Sequence, residues 1–276
     1  MTTAGRPLRV GAITLAAILL TGAFMYLRFP YDRLADAVAV RVERASGWRL
    51  QITGLGPHPM LLGPGLSAGP IRAQHADGTS LAFDAARARP AWSLAWLGGR
   101  PALYVEIEGP LFSAAGTLVL GDAPSFEGRL QDADLNELPL QVLDPQLQIT
   151  GRVDADISVA MEPAGMAGPI ALAAREGSFS HPGLPLAIPY DAITGELEFG
   201  GDHWLTVHRF DIQSPLLTGQ VRGTVGPPPT ASLDLEMELV PGDAARAALY
   251  AQGVRVDPDG TLSLRLGGTA SHPVVQ

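Results

Sequence analysis

The chain opens with one long apolar block and then settles into short alternations of apolar and polar residues. Residues 10–27 read Val-Gly-Ala-Ile-Thr-Leu-Ala-Ala-Ile-Leu-Leu-Thr-Gly-Ala-Phe-Met-Tyr-Leu, without a charge. At 1.5 Å per residue the block makes a helix about 27 Å long, near the thickness of a thin hydrocarbon core. It is apolar on all faces, with Arg6 and Arg9 before it and Arg28 and Arg33 after it. The pattern predicts a transmembrane anchor over residues 10–27 behind a cytoplasmic tail of residues 1–9. A cleaved secretory signal is the competing reading, because Thr21-Gly22-Ala23 imitates a small-residue cleavage site. Cleavage there would cut through an apolar run that continues over Phe24, Met25, Tyr26 and Leu27, so an uncleaved anchor is expected. The short basic tail stays in the cytoplasm and the rest of the chain crosses, which in a Gram-negative cell means the periplasm.

The period then changes. Pro30 suits a helix start, and Leu34, Ala35, Val38, Val42 and Ala45 recur at helical spacing up to Gly47, a residue suited to the left-handed cap. An amphipathic helix over residues 28–47, packed on the end of a sheet, is the expectation. A membrane-surface helix is the alternative, weakened by a polar side that mixes Arg33, Arg41 and Arg44 with Asp36 and Glu43.

From Trp48 onward the period is two. Trp48, Leu50 and Ile52 alternate with Arg49 and Gln51; a Gly- and Pro-rich stretch at 54–70 follows, then a strand around Leu81 and Phe83. Residues 93–97 predict a short apolar helical turn stopped by Gly98 and Gly99, and residues 104–108 another strand, continued by Leu118 and Leu120. The clearest run is 147–161, where Leu147, Ile149, Val153, Ala155, Ile157, Val159 and Met161 share one parity and Gln148, Thr150, Arg152, Asp154, Asp156 and Ser158 the other. Such alternation marks a strand buried on one face, with Gly151 placed to bend or bulge it. Strands are also expected at 196–199, 217–225, 233–239 and 262–266. Between Leu205 and Ile212 the apolar parity shifts, which predicts a bulge near His208 and Arg209. A helix capped by Asp243 is expected to run from Ala244 to Gln252. A loose Gly-x-apolar-x-apolar unit recurs at Gly116, Gly195 and Gly260, without the fixed period of a solenoid or propeller. The fold class read from these patterns is mainly β: one N-terminal helix, then a β-rich domain over residues 48–276 built on a largely antiparallel sheet.

Composition narrows function by exclusion. With 32 Gly and 24 Pro the chain has the turns such a sheet needs. A net charge of −9 argues against nucleic acid, which selects clustered basic residues. Every basic residue is Arg, and no cysteine occurs, so no disulfide, thiolate metal site or thiol nucleophile can form.

Candidate chemistry is sparse. The histidines are His58, His75, His181, His203, His208 and His272; His203 and His208 are the nearest pair, flanked by Asp202 and Asp211, but on a strand they face opposite sides. Asp234, Glu236 and Glu238 share one strand face, as do Asp154 and Asp156; alternating with apolar residues, they read as a solvated sheet face rather than a calcium or acid/base site. Ser178-Phe179-Ser180-His181 lacks a nucleophile elbow, and Gly63-Pro64-Gly65 lacks the Gly-Lys-Ser/Thr of a phosphate loop. No catalytic, cofactor or metal residue is assigned, and a non-enzyme is expected.

Several pieces of the chain, in this order, resemble the type II secretion system protein N (GspN) family. They are Phe29-Pro30-Tyr31-Asp32-Arg33-Leu34 after the anchor, Trp92-Ser93-Leu94-Ala95-Trp96-Leu97-Gly98-Gly99 before the strand ending Glu108-Gly109-Pro110, Asp134-Leu135-Asn136-Glu137-Leu138-Pro139 before Ile149-Thr150-Gly151, and the closing Leu264-Arg265-Leu266-Gly267-Gly268-Thr269-Ala270-Ser271-His272-Pro273. The same pieces resemble the wider AsmA-like periplasmic proteins. The first resemblance implies an inner-membrane component of type II secretion acting in protein export through contacts with other secretion components. The second implies an elongated, curved sheet whose apolar groove holds lipid acyl chains between membranes.

Overall fold

A computed structural model describes residues 5–59, 63–76, 78–92, 99–137, 148–163, 165–180, 187–227, 231–243, 245–247, 257–269 and 272–275. The chain divides into two compact units, Met1–Pro90 and Ala91–Gln276.

The first unit begins with helix α1 (Gly5–Arg28), longer at both ends than the predicted anchor. Its side chains are described from Ala16, so residues 10–15 of the expected anchor lie outside the described side chains. Among the described residues no helix is long and apolar enough to cross a membrane. From Ala16 to Met25 every α1 side chain is exposed, Leu20 to 71% and Met25 to 67%.

Helix α2 (Tyr31–Ser46) follows a break at Phe29 and Pro30 and ends at Gly47, whose φ of 75° is the expected left-handed cap, its N–H donating to Glu43 O. The buried stripe departs from the predicted one at Val38 alone; Leu34 is half-buried, and Ala45 lies outside the described side chains. Tyr31 and Ala35 are buried and Val42 half-buried, whereas Val38 is 41% exposed. The Tyr31 hydroxyl donates to Tyr26 O and the Tyr26 hydroxyl to Gly65 O.

Six short strands complete this unit: β1 (Arg49–Ile52), β2 (Gly56–Pro57), β3 (Leu66–Ala68), β4 (Ile71–Gln74), β5 (Ser80–Phe83) and β6 (Ala85–Pro90). β1, β4 and β5 form a three-stranded antiparallel sheet, and β3 pairs with both β2 and β6. Leu50 and Ile52 are half-buried and Arg49 and Gln51 exposed, as their alternation predicts.

The second unit is a meander in strict chain order: β7 (Ala102–Glu108), β8 (Ser113–Val119), β9 (Ser125–Asp134), β10 (Gln148–Glu162), β11 (Gly165–Ser180), β12 (Ile188–Phe199), β13 (Leu205–Gln213), β14 (Leu217–Val225), β15 (Leu233–Pro241), β16 (Leu262–Thr269) and β17 (His272–Val275). Every pairing described between neighbours is antiparallel. β10 has the 15 residues its alternation predicts, and its register with β11 slips between Thr150 and Arg152, around Gly151 at φ 116°. The slip between Val207 and Phe210 in β13 places the second bulge at the predicted His208–Arg209. Residues 243 and 245–247 are helical; the rest of the expected helix, like the turn at 93–97, lies outside the described residues.

Candidate functional site: the apolar face of the sheet

Residues directly paired across antiparallel strands share a face. Following the registers across the second unit therefore traces rows of side chains perpendicular to the strands. One row runs Ile107, Ala114, Leu130, Ala155, Leu172, Gly195, Phe210, Val221, Met237, Leu264. The next runs Val105, Gly116, Gly128, Ile157, Ile170, Leu197, Val207, Gly223, Leu235, Leu266 over the same strands. A third joins Leu103, Leu118, Phe126, Val159, Gly168, Phe199, Leu205, Val225 and Leu233. No polar side chain interrupts any of them.

The bulge at His208 keeps this face continuous. Without the extra residue, Val207 and Phe210 would point to opposite sides; with it they sit over Leu197 and Gly195, two residues apart on β12. Gly195 leaves room for its neighbours, since an added Cβ would stand 2.9 Å from the Phe210 ring and 3.1 Å from Leu172. Large side chains thus lie over the small ones, and the face has low relief.

This face has almost no core behind it. In the second unit the buried apolar side chains among the described residues are Ala102, Ala133, Ala174, Tyr190, Ile193 and Pro241. The remaining members of the three rows are half-buried or small. Met161 and Met166, the last pair of the β10–β11 ladder on this face, are 53% and 38% exposed.

Among the described residues, one end of the face carries a buried cluster. Tyr190, 2% exposed, packs with Ala174 and Ile193 against Leu135, Val153 and Phe179, and its hydroxyl donates to Thr150 O at 2.5 Å. At the bulge beside it the ladder is replaced by side chains: the Ser178 N–H donates to Thr150 Oγ1 at 2.8 Å. Burial holds the Tyr190 hydroxyl above its ordinary pKa, so it remains a neutral donor. Nothing in the sequence pattern singled out Tyr190, because its role depends on reaching across β11 to a carbonyl on β10.

The opposite face is polar and paired. Arg265 meets Asp234 through two bonds of 2.9 and 3.1 Å, Arg129 meets Asp156 at 2.6 Å, and Arg175 meets Asp154 at 2.7 Å. Arg222 stands 3.8 Å from Glu238, opposite the Glu236 register position. Of the carboxylates grouped by sequence parity, Asp154, Asp156, Asp234 and Glu238 each stand within ion-pair distance of an arginine on this face. Hydrogen bonds from the Asn136 side chain and N–H lower the Asp134 pKa, and those from Thr261 lower that of Asp259.

The histidines do not converge. His208 Nε2 lies 2.7 Å from Glu198, while Asp211 is engaged by Arg209 at 2.6 Å; His203 sits in the turn before β13. His75 stacks on Trp48 at 5.1 Å, His58 donates its N–H to Gly65 O, His272 begins β17, and His181 lies outside the described residues. No group of three metal-ligating side chains occurs among the described residues. Ser178 lies within β11, hydrogen-bonded to Thr150, and Gly65 serves the tyrosine junction of the first unit.

Comparison with known proteins finds no matching family model, no matching curated protein and no matching solved structure.

Proposed function

We propose that this chain is a membrane-tethered β-sheet protein whose apolar face holds lipid acyl chains in the periplasm, in the manner of AsmA-like proteins. One observation carries the reading: uninterrupted apolar rows cross β7 to β16 on one face, and their large side chains stay half-buried rather than buried. An ordinary core would place these side chains below a tenth exposed, whereas here Leu197, Val207, Leu235 and their neighbours stay half-buried. A flat apolar strip of this kind suits extended hydrocarbon, which needs burial and no directional partner. The twist of so many consecutive strands supports a curved, elongated groove. The exposed apolar helix α1 supports the tether at residues 10–27, because large apolar side chains such as Leu19, Leu20 and Met25 stand exposed.

The test is mass spectrometry of lipids retained by the full chain extracted in mild detergent. Wild type should carry phospholipid, and Val207→Asn with Leu235→Asn should lose most of it while keeping its circular dichroism. Wild-type protein free of lipid would overturn the proposal.

A second reading, favoured by the pieces similar to the type II secretion system protein N family, keeps the same tether. It assigns the sheet to contacts with other secretion components in the cell inner membrane. Deletion should then impair export of folded periplasmic substrates, and unimpaired export would remove this reading.

A further inference from the structure

Helix α2 has a second face that packing in the first unit does not use. At about 100° per residue, Arg33, Ala37, Val40 and Arg44 fall along one crest, with Arg41 beside it, opposite the buried stripe of Tyr31, Ala35 and Val42. All five outward residues are exposed, Val40 to 45%. Among the described residues none of the three arginines has a carboxylate partner. Asp32 and Glu43 lie on the other flank, and Glu43 is drawn away by Arg49 at 3.3 Å. Asp36 borders the crest, lining one concavity with Ala37, Val40, Arg41 and Arg44, so the arginines outnumber the acids there.

Position gives the crest its meaning. α2 begins at Tyr31, just past the end of α1 at Arg28. It does not fold back along the described part of α1, whose side chains from Ala16 to Met25 are all exposed. The Tyr31–Tyr26–Gly65 hydrogen bonds, with the Phe29 and Tyr31 rings 5.3 Å apart, hold the junction in one geometry. If α1 crosses the bilayer, α2 starts at its surface.

We infer that the Arg33, Arg41 and Arg44 crest of α2 binds the phosphates of anionic phospholipid headgroups in the membrane that α1 enters. The inference rests on the tether reading above and is independent of the sheet's ligand. Guanidinium forks match phosphate oxygens, and the Val40 side chain lies between them where an interfacial helix dips into the acyl boundary. The bound crest would fix how the first unit stands on the membrane.

Because the chain has no cysteine, single cysteines report cleanly. Full-length Ile18→Cys and Val40→Cys proteins, each labelled with an environment-sensitive fluorophore, are reconstituted in nanodiscs of phosphatidylcholine alone or with phosphatidylglycerol. Lipids bearing nitroxides at the headgroup or deep in the chain serve as quenchers. The Ile18→Cys label should be quenched from the deep position in both discs. The Val40→Cys label should be quenched from the headgroup only where phosphatidylglycerol is present. Converting the three arginines to glutamine should lower its interfacial occupancy by on the order of a hundredfold, about fivefold for each charge, and converting them to lysine should restore most of it. A Val40→Cys label left in water in both discs, with the Ile18→Cys label buried, overturns the inference and leaves the tether standing. Equal quenching in both discs overturns the arginine–phosphate assignment. An unquenched Ile18→Cys label removes tether and inference together.

Discussion

The hydroxyl of Tyr190 is predicted to hold the buried cluster at one end of the apolar face. It reaches from β12 over β11 to Thr150 O, 2.5 Å away, and its ring lies where a Cβ on Gly177 would stand 2.5 Å from Cζ. The bulge has diverted the usual partner, since the Ser178 N–H donates instead to Thr150 Oγ1. Tyr190→Phe keeps the ring and removes the donor, leaving a half-buried carbonyl without its partner at a cost of about 1–3 kcal/mol. With a urea slope of about 2 kcal/mol/M, the unfolding midpoint should fall by about 0.5–1.5 M. The assay is urea unfolding of the full chain in detergent, followed by hydrogen exchange of the β10, β11 and β12 amides. A second signature lies in alkali. Burial raises the Tyr190 pKa above its ordinary 10.0, so its contribution is complete below pH 10 and is lost as pH rises from there through the folded value. Tyr190→Phe should lack that loss. An unchanged midpoint together with an unchanged alkaline limb would refute the role given to this hydrogen bond.

Further perturbations separate structural from incidental contacts. Gly223 has φ 137°, and an added Cβ would stand 2.1 Å from Asp234 O, so Gly223→Ala should loosen the β14–β15 ladder by about 1–3 kcal/mol, seen as faster exchange there. Arg265 and Asp234 are both more than half exposed, so their double-mutant coupling should stay below about 1 kcal/mol in thermal melts despite two good bonds. The Asp134 pKa is lowered by its Asn136 hydrogen bonds, so its contribution is present above the unfolded value near 3.8 and is lost as pH falls below it. Asp134→Asn should flatten that part of the acid-unfolding curve.

Much of the fold was legible because period-two patterning is local. The β10 run, the bulge at His208, the β14 boundaries and the Gly47 cap each follow from the spacing of neighbouring residues. Spacing along α2 does not reveal that Val38 is 41% exposed although it shares a face with the buried Tyr31 and Ala35, because what packs against that face comes from other parts of the chain.

Alone, the sequence determined that strands would carry one apolar and one charged side, since alternation along a strand is a property of the strand itself. Only the tertiary structure decided that these sides line up into unbroken rows across β7 to β16, because register is set by hairpins and bulges between strands. The tertiary structure also decided that the apolar side stays half-buried instead of closing into a fully buried core. The same alternation would serve a sandwich core equally well, and a residue's parity carries no information about what lies ten ångströms above it.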